Sequence, residues 1–191
     1  MNLLSLGSNS LVRRLPIHAP RTKLIKNLLY ANSAIFGLYL LSSGPYKLQY
    51  QRQFVAAPGS NFESLLYFHF AHTSIAQFIF TSGVLYTLGN YHVAAYGCSS
   101  FIRLFGLSAL GGTALTAWGL RSGQSTETQA GAMAPASGLI AYHVFRNPGW
   151  FKFALKPLPL LAAITLYAAF YGDRAAMGGV GFGYAAFVLG L

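Results

Sequence analysis

Six apolar stretches run in series from residue 27 to residue 191, each ended by glycine, proline or a short polar loop. They run about 27–44, 63–88, 101–120, 132–146, 153–171 and 174–191. Segments of this kind leave no charged face for water along most of their length. Only 8% of the 191 residues are charged, where soluble domains carry about 25%. The 13 Lys+Arg and 3 Asp+Glu cannot cover the surface of a soluble particle of this size. The 21 glycines agree, since glycine is commoner in membrane helices than in soluble ones. A crossing needs roughly 20 apolar residues, so the length allows six spans. The expected fold is an all-α membrane protein, a bundle of six transmembrane helices in one domain, residues 27–191. The fourth and sixth stretches are short for a bilayer of about 30 Å, and are expected to be wrapped by other helices. The segment 43–61 reads as a long non-helical loop.

Residues 1–26 form a basic tail, with Arg13, Arg14, Arg21, Lys23 and Lys26 among Leu, Ser and Asn and no acid before Glu63. Basic, serine-containing and acid-free is the composition of a mitochondrial targeting segment, with a bacterial inner-membrane protein carrying a basic tail as the competing reading. Pro16 and Pro20 stand where a secretory signal would have its apolar core. With six spans, nine basic residues fall on the side of the tail and four (Lys47, Arg52, Arg121 and Arg174) on the other. The bias predicts both termini in the matrix of a mitochondrion, with the chain multi-pass in the inner membrane. The net charge of +10 is thereby a matter of topology and does not indicate a nucleic-acid partner. A single cysteine, Cys98, excludes an internal disulfide and a cysteine-built metal cluster.

Small residues recur at helix-packing spacing: Ser108 with Gly112, and Gly179 with Gly183. Such pairs let helix backbones approach closely where lipid supplies no hydrophobic drive. Among the histidines, His69 and His72 have a spacing that places two imidazoles on one side of a helix. No further ligand accompanies them in the spans, so they read as packing residues and no metal or cofactor is expected. His18 and His92 read as tail and loop residues without a partner.

Four segments, in order, resemble the rhomboid family of intramembrane serine proteases and their inactive relatives. His72-Thr73-Ser74-Ile75-Ala76-Gln77-Phe78-Ile79-Phe80-Thr81 is similar to the family's His-x-Ser-x-x-His-x-x-x-Asn. Gly97-Cys98-Ser99-Ser100-Phe101 is similar to its Gly-x-x-x-Phe. Pro135-Ala136-Ser137-Gly138, closed by Phe145-Arg146-Asn147-Pro148, resembles the Gly-x-Ser-Gly nucleophile motif and the loop after it. Ala176-Met177-Gly178-Gly179-Val180-Gly181-Phe182-Gly183 resembles the His-x-x-Gly-x-x-x-Gly of the last span.

The departures all lie on one mechanism. The resemblance implies a Ser–His dyad, in which the last-span His takes the serine proton. Here the nucleophile position is Ser137, but the base position is Ala176. General-base assistance is worth roughly 10²–10⁴-fold in rate. The oxyanion-stabilising His and Asn correspond to Gln77 and Thr81, and a lost oxyanion donor costs roughly 10²–10³-fold. Pro135 removes a backbone N–H at the first Gly of the serine motif, and Val93 replaces a family Glu. His143 cannot substitute as base: six residues beyond Ser137 it lies roughly 240° around the same helix and about 9 Å along it.

The resemblance thus implies a catalytically inactive protein in which Ser137, Ala176, Gln77 and Thr81 are degenerate positions. Ser108, Gly112, Gly138, Gly179 and Gly183 are expected to pack helices, with Gly179 and Gly183 against the fourth span near Ser137. The expected role is a structural accessory subunit of a respiratory-chain complex in the mitochondrial inner membrane. Its partners would be other membrane subunits and lipids, including structural phospholipid such as cardiolipin. The alternative is a derlin-like pseudoprotease that binds or escorts membrane segments; an active protease is the least favoured by Ala176.

Overall fold

The structure, a computed structural model, describes residues 21–123, 133–146 and 173–191. The fifth apolar stretch and the first 20 residues of the basic tail lie outside the described residues. The described chain is all-α, with no strand. Helix α1 is Arg21–Leu41, α2 Gly44–Phe54 and α3 Phe62–Tyr67, which tightens into a 3₁₀ turn at Phe68–Phe70. Helix α4, Ile75–Val84, continues through a π turn at Leu85–Gly89 into α5, Asn90–Tyr96. Helices α6 (Cys98–Arg121), α7 (Met133–Arg146) and α8 (Arg174–Val188) complete it.

Two helices are long and apolar enough to cross a membrane, Lys23–Leu41 within α1 and Cys98–Arg121. Six separate spans are therefore more than the described helices show. Three local expectations also change. Helix α1 begins six residues before the apolar stretch, carrying Lys23 and Lys26 as exposed residues of its early turns. The segment 43–61 is not a loop throughout, since α2 occupies Gly44–Phe54 with Pro45 in its first turn. Proline there is pre-set for helix and gives up an N–H that would have no partner anyway. The second stretch is not one helix ending at Gly89-Asn90. It breaks at Ala71–Ser74 and then runs on to Tyr96. Gly89 stays within the helix and is closely packed, so that a Cβ would lie 3.1 Å from Ile25 Cδ1 and 3.3 Å from Phe101. Asn90 returns its amide to Tyr86 O at 2.6 Å instead of opening a turn. The helix ends at Gly97, whose φ of 88° suits glycine alone.

Helix α1 buries one stripe, Ile25, Asn32 and Phe36, with Leu28, Leu29, Ile35 and Tyr39 partly covered. The stripe follows the helical period and lies antiparallel to the α4–α5 run, Ile25 beside Gly89 and Phe36 stacked on Phe78 at 4.6 Å. The centre is α6, α7 and α8, which make the most extensive contacts in the fold. Every residue of α7 from Met133 to Val144 is buried, so this short helix is wrapped on all sides. Helix α8 is wrapped only in part. Its buried residues are small (Ala175, Ala176, Gly178, Gly179, Gly183, Ala186), Met177 and Tyr184 are exposed, and Phe182, partly exposed, lies against Gly111 of α6. Full burial of α8 is not needed for close packing because the residues it turns to α6 and α7 are mostly glycine and alanine, with Val180 and Phe187 half-buried beside them.

Asp173 caps α8, its Oδ1 accepting the Ala176 N–H at 2.9 Å. Burial raises its pKa, and the backbone N–H groups of Ala176 and Ala175 pull the other way. Burial thus opposes the charge that the capping N–H groups favour. Asp173→Ala is expected to lower stability by about 1 kcal/mol through loss of the cap. Asp173→Asn, which keeps the acceptor and drops the charge, should unfold at or above the wild-type midpoint when both are melted in mild detergent.

Candidate functional site

Ser137 lies on α7, 2% exposed, facing the first turn of α8. Its hydroxyl sits 2.7 Å from Met133 O, 3.1 Å from Ala134 O and 2.9 Å from Ala176 O. All three are main-chain acceptors, two on its own helix and one across the gap. A serine with one proton and only carbonyls before it is held as a donor. Ala176, to which the resemblance assigns the base position, is fully buried and packs on Met133.

The surrounding glycines explain how the helices come so close. The doublet Gly178-Gly179 points its members about 100° apart, one at each neighbour. A Cβ on Gly178 would strike the Gly111 carbonyl and lie 2.7 Å from Gly112 N on α6. On Gly179 it would strike Ala134 O and lie 2.5 Å from Ser137 Oγ on α7. One turn on, Gly183 rests on the Gly138 backbone, with Cα 2.8 Å from such a Cβ. Gly112 faces Ala134 and Ala175 O, while Gly138 faces Ser108 and Gly179 O. The five packing positions read from the sequence all lie in this three-helix junction. Gly111 and Gly178 belong there too and were not read. The signal was present as two glycine doublets, 111–112 and 178–179.

Gln77 and Thr81 lie on α4. Thr81 is fully buried, and its hydroxyl donates back to its own helix, 2.8 Å from Gln77 O and 3.3 Å from Phe78 O. Gln77 is half-buried. His69 and His72 are both buried but differ in role. His69 Nε2 is 2.8 Å from Thr113 Oγ1, which in turn donates to Leu65 O at 3.0 Å. Because that threonine proton is committed, the bond requires the proton on Nε2 of His69. His72 sits in the break before α4, edge-on to Phe36 and Phe78 at 6.2 and 5.4 Å. Among the described residues no three His, Cys, Asp or Glu side chains gather where a metal would sit.

His92 is where the sequence reading fails most. It is fully buried in α5, with Nδ1 3.2 Å from His143 Nε2 and Nε2 3.0 Å from Ser100 Oγ. Tyr96 and Tyr142 pack around the pair at 4.9 and 5.2 Å from the His92 ring. Tyr142 then anchors the chain end by donating to Leu191 O at 2.6 Å.

No protein-family model and no curated protein matches this chain. What the site can do follows from its chemistry alone. Ser137 is a bridging donor between two helices, and the junction around it is closed by backbone.

Proposed function

We propose that the chain is a catalytically inactive rhomboid-like membrane protein, a structural accessory subunit of a respiratory complex in the mitochondrial inner membrane. The observation that carries this reading is the meeting of Ser137 with Ala176, where a nucleophile-like hydroxyl is spent on a carbonyl and a methyl group stands in for a base. The four motifs in order supply the family resemblance, and the acid-free basic tail supplies the address.

Two further features favour residence in a bilayer. Where α6 and α8 meet, the facing residues are mostly glycine, and although α6 also buries Phe101 and Leu104, Leu110, Trp118, Met177 and Tyr184 are all more than 40% exposed. A soluble protein rarely exposes apolar surface so continuously, while membrane helices pack through small faces. The α4–α5 run, Ile75–Tyr96, is also long enough in total to cross, though divided by its π turn. With these, six spans and both termini in the matrix remain the topology we put forward. Among the described residues, α6, α7 and α8 pack backbone to backbone with no gap between them, which favours the static subunit over the derlin-like alternative.

The test is gentle extraction of mitochondrial membranes followed by native electrophoresis and mass spectrometry. The chain should migrate with a large complex in fixed stoichiometry, and a fluorophosphonate probe should label it no more than a Ser137→Ala variant. A chain that migrates alone, or serine-dependent labelling, would overturn the subunit or the pseudoenzyme reading respectively.

A further inference from the structure

Helix α2 is unlike its neighbours. It carries Lys47 and Arg52, and of its residues Tyr50 alone is buried. Tyr46 and Leu48 are 72% and 60% exposed on the same short helix. Mixed cationic, tyrosine-bearing and apolar, it has the composition of a helix lying in the headgroup layer. Under it opens a cavity of about 710 Å³, bounded by Tyr39, Leu48, Arg52, Ser60, Asn61 and Thr73 among others. No carboxylate lines it. Glu63 borders a separate recess of about 200 Å³ that shares Arg52. Lys47 adds a second cation at the rim, its Nζ 5.2 Å from the Tyr39 ring. Beyond the loop through Gly59 and Ser60 lies a further cavity of about 270 Å³, with Arg121 at its edge and Leu65, Ala117 and Leu120 on its walls.

We propose that the cavity under α2 binds the phosphodiester headgroup of an anionic phospholipid, with Arg52 as the principal phosphate ligand. Guanidinium presents a planar fork of donors that matches phosphate oxygens, and Asn61 and Thr73 line the same cavity with neutral hydrogen-bonding groups, while Ser60 is engaged locally, accepting from Ala57 N and donating to Val55 O. A free phosphate would need no more than this. The apolar residues at hand favour lipid: Leu48 lines the cavity and is 60% exposed, and Leu38, Leu40 and Leu41, also exposed, close α1 just before α2 begins. The inference rests on the membrane part of the proposed function and is independent of the rhomboid resemblance.

The experiment uses the full chain purified in mild non-ionic detergent, melted with added phosphatidylglycerol, phosphatidylcholine or inorganic phosphate. Wild type should be stabilised by phosphatidylglycerol and bind it at least about tenfold more tightly than phosphatidylcholine, equivalent to about 1.4 kcal/mol. Arg52→Gln should lose that preference, Arg52→Lys should keep part of it, and Arg103→Gln, an exposed cation at the other end of α6, should keep all of it. Equal response to the two lipids, or equal loss in the Arg52 and Arg103 variants, would overturn the site. A shift produced by inorganic phosphate alone would overturn the lipid assignment in favour of a free phosphoryl ligand. Alkaline carbonate extraction separates the two levels: a chain released from membranes refutes the membrane reading, whereas a retained chain without headgroup preference refutes only this site.

Discussion

Gly179→Leu is expected to force α8 away from α7 and to be the most disruptive single change in the junction. Overpacking a core typically costs about 1–3 kcal/mol when side chains can yield. Here the first atom met is the main-chain oxygen of Ala134, followed by Ser137 Oγ, so the helix itself must move. The contact of Gly183 with Gly138 lies one turn along the same seam and would open with it. The loss should therefore reach the top of that range or exceed it. Gly181→Leu is the matched control, because a Cβ there meets nothing within 4 Å, and it should melt like wild type. Ser137→Ala removes one bond across the gap and should cost about 0.6 kcal/mol, the usual worth of an interhelical hydrogen bond in a membrane protein. Thermal unfolding of the three purified variants orders them. A Gly179→Leu protein as stable as Gly181→Leu would mean that α8 does not sit on α7 as described.

Removing His92 should be nearly as damaging, by a different route. His92→Ala leaves a ring-sized hole at a fully buried position between α5, α6 and α7, and deprives His143 and Ser100 of the partner each has there. Large-to-small changes in cores cost about 2–5 kcal/mol, and a buried polar group left unmet adds about 1–3 kcal/mol. A combined loss of about 3 kcal/mol or more is expected. His92→Phe separates the two contributions, filling the volume without restoring either bond, so it should recover the part due to the cavity and no more. Full recovery by phenylalanine would show that the histidine pair contributes packing alone.

Much of this architecture is legible in the sequence because it depends on local chemistry. The apolar stretches predict helices, and helices stand at 21–41, 98–121, 133–146 and 174–188. The spacing of Ser108, Gly112, Gly179 and Gly183 is a property of single helices, and those residues meet in one seam. Ser137, singled out by its motif, donates across the seam to the main-chain oxygen of Ala176. The sequence could not reveal whether a glycine breaks a helix or makes room for a neighbour. Gly97 breaks one by its φ, while Gly89 stays helical and packs closely against Ile25 and Phe101. Those neighbours are distant along the chain, so no local pattern distinguishes the two cases. The same holds for His92, a loop residue by sequence, whose partner His143 is 51 residues away. Local sequence determined which segments are helical and which faces are small. The tertiary packing decided which glycines are contacts, which histidines are paired, and that α2 stands off the bundle over an open cavity, since each of these depends on what a distant segment brings into the space beside it.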